Sequence, residues 1–155
     1  MKTIIAIALL VFSHAAFSDS SAVYEKSVSQ EMETTYQHVY KALEDNGFYV
    51  IFEPNIGKNL AGFSEKWGKD YNQNKLDSIR SMVFCSAWYA NQISNADPSM
   101  LALCPLHVTL TSKAGRTTVL FVKPGTVAKG SKAEKIAKQL EKDVIQSLES
   151  GLNAK

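Results

Sequence analysis

Two kinds of hydrophobic spacing alternate along the chain, and together they predict its elements. Met32, Tyr36, Val39, Tyr40 and Leu43 recur at i, i+4, i+7, i+8 and i+11, which is one face of a helix over residues 30–46. Gly47 follows where a left-handed C-terminal cap belongs. Near the other end, Ala133, Ile136, Ala137, Leu140, Val144, Ile145 and Leu148 form a second apolar stripe, with Lys132, Lys135, Lys138, Glu141 and Lys142 on the water side. Ser131 and Glu134 stand three apart at its start and predict a capping box, and Gly151 is the expected end. Between the stripes lie β-branched and aromatic runs. Residues 21–29 predict a first strand on Val23, Tyr24 and Val28, and Phe48–Glu53 a second one stopped by Pro54. Ile79–Cys85 predicts a buried strand. Residues 87–96 predict a short helix, after which Asp97 and Pro98 open another helical turn. Leu106–Thr111 and Thr117–Val122 predict a hairpin around Ser112–Gly115, ended by Pro124-Gly125.

Residues 55–77 follow neither spacing. Gly57, Gly62 and Gly68 interrupt them, Tyr71-Asn72-Gln73-Asn74 is polar, and Ile56, Leu60 and Phe63 fit one or two short helical turns. So long a stretch between regular elements is often functional or mobile. The predicted order is β-α-β, an irregular segment, then β-α-β-β-α. That is a two-layer α+β fold with a mostly antiparallel sheet and helices on one face.

The first eighteen residues are of another kind. Lys2 precedes the apolar run Ile4–Phe12, and Ala16-Phe17-Ser18 fits a small-x-small cleavage site. The expectation is a signal peptide over residues 1–18, cut after Ser18, leaving a single domain over residues 19–155 that is periplasmic or secreted. The apolar run is well short of the ~20 residues of a spanning helix, and no later stretch is longer. Composition adds little to this picture. At 155 residues, 45% hydrophobic and 21% charged, the chain is neither disordered nor collagen-like. Lys+Arg 17 against Asp+Glu 15 gives +2; residues 1–18 hold one Lys and no acid, so 16 against 15 leaves +1. A balance so near neutral argues against a nucleic-acid partner.

By this point the order of elements resembles the domain of unknown function 302 (DUF302) family of small bacterial and archaeal α+β domains, over residues 22–123. Thr35–Phe52 (TYQHVYKALEDNGFYVIF) is similar to its opening helix, Gly and strand. Met82–Met100 (MVFCSAWYANQISNADPSM) is similar to its strand and following helix, with Ser86-Ala87 where members carry Asn-Pro. Pro105-Leu106-His107-Val108 is similar to the start of its hairpin. The resemblance implies a fold without a settled activity, and a homodimer as the expected assembly.

Candidate chemistry is sparse. Cys85 and Cys104 are 104 − 85, or 19, positions apart. After export they are open to three readings. One is a structural disulfide, worth about 3 kcal/mol for a loop of this size. The others are two buried thiols and a reactive or metal-binding pair. Together with His107, and Met82 or Met100, they would form a soft set for copper(I) or a haem iron. On the bland reading His107 is a solvent-facing strand residue, and His38 lies on or near the helix surface. Trp67, Tyr71, Trp88 and Tyr89, with Phe63 nearby, flank the irregular segment and the short helix, where aromatics line a small-ligand pocket or cover a core or interface. Glu53, Glu65, Asp70 and Asp77 read as solvated carboxylates, and the Lys129–Lys142 stretch as a solvated helix face. There is no Walker A, no nucleophile elbow and no zinc-protease motif. The expectation is therefore a non-enzymatic module, without a required cofactor, that binds a small molecule or a partner protein in a pocket between the sheet and residues 55–77. The alternative is a copper, haem or thiol-redox protein using Cys85, Cys104 and His107.

Overall fold

A computed structural model describes residues 22–154; the expected signal peptide and its cleavage site lie outside them. One antiparallel sheet of five strands organises the chain: β1 (Val23–Val28), β2 (Tyr49–Phe52), β3 (Ser78–Cys85), β4 (Leu106–Lys113) and β5 (Arg116–Val122), in the order β1-β5-β4-β3-β2. Two long helices, α1 (Met32–Asp45) and α6 (Glu134–Leu152), cover one face of it. The fold is the predicted two-layer α+β arrangement. No helix among the described residues is long and apolar enough to cross a membrane.

The period-2 and period-3.6 patterns meet in one core. Met82, Phe84, Val108, Leu110, Val119 and Phe121 point from the central strands onto Tyr36, Val39 and Leu43 of α1 and Leu140, Val144 and Leu148 of α6. Full burial of a large aliphatic or aromatic side chain contributes roughly 1.5–3 kcal/mol, so this layer dominates stability. Tyr36 is buried with its hydroxyl satisfied, donating to Glu53 Oε2 at 2.8 Å, and the Arg80 guanidinium lies 3.6 Å over its ring. Glu53 is thus a hydrogen-bond partner of the core and not merely a solvated carboxylate. On the opposite face Val83, Cys85, His107, Leu120 and Val122 are half-buried or exposed.

Several boundaries differ from the pattern, each for a local reason. The hairpin turn shrinks to Ala114 and Gly115, both left-handed at φ 50° and 73°, so β4 runs on to Lys113 and pairs it with Arg116. Such two-residue turns match the strand twist. Pro124 ends β5 and also opens a one-turn helix, α5 (Pro124–Val127). The capping box does not form. The helix starts at Glu134, Ser131 Oγ is buried without a hydrogen-bond partner, and Glu134 accepts from Gly130 N at 2.7 Å. Gly151 does not end α6 but lies inside it, against α1. A Cβ there would stand 2.8 Å from His38 O and 2.9 Å from the Val39 Cα. Glycine at this position sets how closely the two helices approach.

Candidate functional site

The segment between β2 and β3 is not a bare loop. It contains α2 (Ile56–Ala61), α3 (Ser64–Trp67) and a 3-10 turn (Gly68–Asp70), and none of the three buries a residue. Asn55 starts α2 by accepting Lys58 N on its side chain at 2.9 Å. The helix then lies along the edge of β3, beyond the end of β2. Ser81 N donates to Pro54 O at 3.1 Å, and a Cβ on Gly57 would be 3.0 Å from Ile79 N. After the 3-10 turn the chain folds back through two left-handed non-glycine residues, Asn72 and Lys75. Asn72 holds that turn from both ends of its amide, accepting from Leu76 N and donating to Leu76 O, each at 2.9 Å. Asp77 then ties the segment to the hairpin turn: its N donates to Ser112 O and its Oδ2 accepts from Ala114 N, both at 2.8 Å.

The result is a cavity of about 670 Å³ between this segment and the start of β3. Leu60, Leu76 and Ile79 supply aliphatic surface, Trp67 and Tyr71 the aromatic groups, and Lys58, Asp70, Asn74 and Asp77 polar groups. Its volume falls within the ~300–1,000 Å³ of small-molecule sites. The Trp67 ring stacks on Phe63 at 5.1 Å and 17° and remains 39% exposed.

The four expected ligand-binding aromatics do not converge. Trp67 and Tyr71 line this cavity, whereas Trp88 and Tyr89 line another of about 600 Å³ with Phe48, Tyr49 and Asp143. Tyr89 stacks on Phe48 and donates to Asp143 of α6. Burial, together with that carboxylate, pushes its phenol up to about 12, so Tyr89 is a neutral structural donor near pH 7. Sequence reading missed two things: the aliphatic groups Leu60, Leu76 and Ile79, and the fact that Asp70 and Asp77 face a cavity. Hydrophobic spacing carries no sign of either: residues 68–77 follow neither period, and the helical spacing of Leu60 and the strand spacing of Ile79 do not say what those side chains face.

Cys85 ends β3 on the uncovered face, one step beyond the Phe84–Leu106 pair, and Cys104 lies near it just before β4 begins. Both are free thiols, half-buried. Burial pushes the Cys104 thiol up and the nearby Cys85 adds to the shift, which keeps Cys104 protonated at neutral pH. His107 is exposed on the same face, paired across the strands with Val83. Met82 points the other way, into the core. Among the described residues no group of three His, Cys, Asp or Glu side chains is placed to hold a metal ion. His38 is half-buried, its Nδ1 buried without a hydrogen-bond partner.

Comparison with known proteins places this architecture. The family model for the domain of unknown function DUF302 matches residues 24–152. The chain belongs to the DUF302 family. A crystal structure of an uncharacterized conserved DUF302 protein from Bacillus stearothermophilus superposes with a TM-score of 0.71 at 20% identity, covering 83% of this chain and 97% of that one. At that identity the likeness is one of fold. None of the curated proteins compared matches the chain. The DUF302 match spans all five strands and both long helices, and it includes the segment that forms the cavity.

Proposed function

We propose that this DUF302 chain is an exported binding or accessory module that holds a small ligand in the cavity between residues 55–77 and the start of β3. The observation that carries the reading is the cavity itself, about 670 Å³, with Trp67 and Tyr71 on its wall instead of in the core. Its lining brings apolar contact area and a few polar groups together, as small-molecule sites do. Export rests on Lys2, the Ile4–Phe12 run and the Ala16–Ser18 cleavage site, and would place the ligand in the periplasm or outside the cell. The test is a fragment screen by two-dimensional NMR on the chain lacking residues 1–18. Hits are expected to shift amides of residues 55–79 and to lose affinity in Trp67→Ala. A screen whose hits all fall elsewhere, or that yields none, sinks the reading.

A second reading is favoured by the closeness of Cys85, the last residue of β3, to Cys104, two residues before β4. Such a pair can exchange with the disulfide of an oxidoreductase, the two thiols giving up two electrons and two protons as the bond forms, or hold copper(I) between two sulfurs. Thiol titration with and without reductant, together with metal analysis, decides it. Two free thiols after air oxidation and no copper(I) affinity would remove it.

For assembly we propose a homodimer through the β2 edge, where Tyr49, Ile51, Phe52 and Trp88 are 58%, 62%, 63% and 67% exposed. Sedimentation of the purified chain tests it, and Phe52→Glu is expected to shift a dimer to monomer.

A further inference from the structure

We infer that the cavity between residues 55–77 and β3 takes a neutral sugar ring. This rests on the cavity being a ligand site and goes beyond it by naming the ligand class. Three observations converge.

The first is the aromatic wall. Trp67 stacks on Phe63, lines the cavity and is 39% exposed overall. The aliphatic groups Leu60, Leu76 and Ile79 complete the apolar lining. The cavity's aromatic groups are Trp67, stacked on Phe63, and Tyr71, and the rest of its apolar lining is aliphatic. A sugar, with one C–H-rich face and hydroxyls around its equator, packs that face on such an aromatic side chain and turns its hydroxyls to polar groups.

The second is which polar groups remain available. Asn72 spends both ends of its amide on Leu76, Asn55 spends its side-chain oxygen on Lys58 N, and Asp77 spends Oδ2 on Ala114 N. Lys58 Nζ, the Tyr71 hydroxyl and the Asn74 amide have no hydrogen-bond partner among the described residues and line the cavity. Asp77 keeps its other oxygen, and Asp70 engages only Gln73, weakly, at 3.4 Å. The set mixes donors, acceptors and groups that are both, as a polyol requires, since each hydroxyl donates once and accepts.

The third is charge. Asp70 and Asp77 oppose an anion, Lys58 opposes a cation, and a purely apolar ligand would make no use of the polar groups on the rim. A neutral polyhydroxylated ring satisfies each.

The test uses the chain lacking residues 1–18 in a Trp88→Phe background. Trp88 belongs to the other cavity, so Trp67 becomes the sole tryptophan of the two in the sequence. Glucose, galactose, N-acetylglucosamine, cellobiose and chitobiose are titrated against its fluorescence, with adenosine and an anilinonaphthalene sulfonate dye as non-sugar probes. At least one sugar is expected to saturate the signal with a dissociation constant of about 1 mM or tighter. By calorimetry, Trp67→Ala is expected to weaken it about tenfold. Asn74→Ala, at an exposed position whose side chain has no hydrogen-bond partner among the described residues, is expected to weaken it about threefold. No response to any of the sugars overturns the sugar assignment. If adenosine or the dye then binds in a Trp67-dependent way, the cavity remains a ligand site of another class. If nothing in the panel moves Trp67, the underlying reading falls with it.

Discussion

The helical layer and the segment between β2 and β3 are built on opposite terms. In α1 and α6 the apolar stripes are shut against the sheet, with Tyr36, Val39, Leu43, Val144 and Leu148 fully buried. In α2, α3 and the following turn nothing is buried, and the large side chains Phe63 and Trp67 stay in contact with water. The first region holds its shape by packing. The second holds its shape by hydrogen bonds that the side chains of Asn55, Asn72 and Asp77 accept from backbone N–H groups, which fix a turn without filling its interior. The cavity by β3 survives because the backbone around it is fixed by such bonds and side chains are not needed to close it. The comparison assigns stability to one region and binding to the other, and mutations in each should differ accordingly.

The largest effect is expected in the helical layer. Leu140→Ala removes a buried side chain facing the sheet, where a close-packed interior relaxes only in part. A loss of about 2–5 kcal/mol is expected, read by urea denaturation with an unchanged slope. A cost under about 1 kcal/mol would mean that the layer is loosely packed, and the contrast would fail. Gly151→Ala probes the same layer from the opposite direction, by adding a methyl where there is no room. Backbone atoms of His38 and Val39, not flexible side-chain ends, lie in its way. The gain in helix propensity, about 1 kcal/mol, is expected to be outweighed by overpacking of about 1–3 kcal/mol. A net rise in melting temperature would show that α1 and α6 slide apart at little cost.

How far the sequence reveals each region follows from the same difference. Periodic burial leaves a periodic trace, so the strands, α1, α4 (Ala87–Ala96) and α6 all stand within a few residues of their predicted spans. The resemblance to DUF302, made on residues 35–52, 82–100 and 105–108, points to the same fold. The local chemistry of ends was less legible. A Ser followed by Glu after two residues meets the capping-box pattern at 131 and 134, but the chain enters α6 through a turn in which Glu134 reaches Gly130 instead. Gly151 reads as a stop by composition alone, while its real constraint comes from α1, over a hundred positions earlier in the sequence. The cavity was foreseeable only as a place, because its lining comes from residues whose spacing obeys no period. That Trp67 and Tyr71 fall in it and Trp88 and Tyr89 in another depends on tertiary placement of α3 and α4.

Acid sensitivity separates the two regions a third way. Glu149 of α6 accepts from Tyr24 at 2.6 Å and from Lys26, both on β1. Burial opposes its ionisation, but the hydrogen bonds from Lys26 and Tyr24 outweigh that and hold its carboxyl below the ordinary range. A carboxyl depressed on folding adds stability above its unfolded value and loses it as pH falls through the folded one. Denaturation between about pH 5 and pH 3 should therefore show a falling stability that flattens in Glu149→Gln. An identical slope in that variant would place the acid-labile contacts outside the α6–β1 seam.

The smallest effect is expected from Trp67→Ala, and it bears most directly on the contrast. A tryptophan in a core would cost about 3–5 kcal/mol on truncation. Trp67 leaves no cavity inside the sheet–helix layer, because its only stacking partner among the described residues is Phe63, itself 49% exposed. What is lost is one exposed aromatic pair, about 0.5–1.5 kcal/mol, or a melting shift of only a few degrees, about 4 °C per kcal/mol in a domain of this size. Ligand binding should suffer far more than stability. If thermal denaturation instead drops as far as for Leu140→Ala, then Trp67 closes a second core under residues 55–77, and the segment is a structural flap instead of a wall of a binding site.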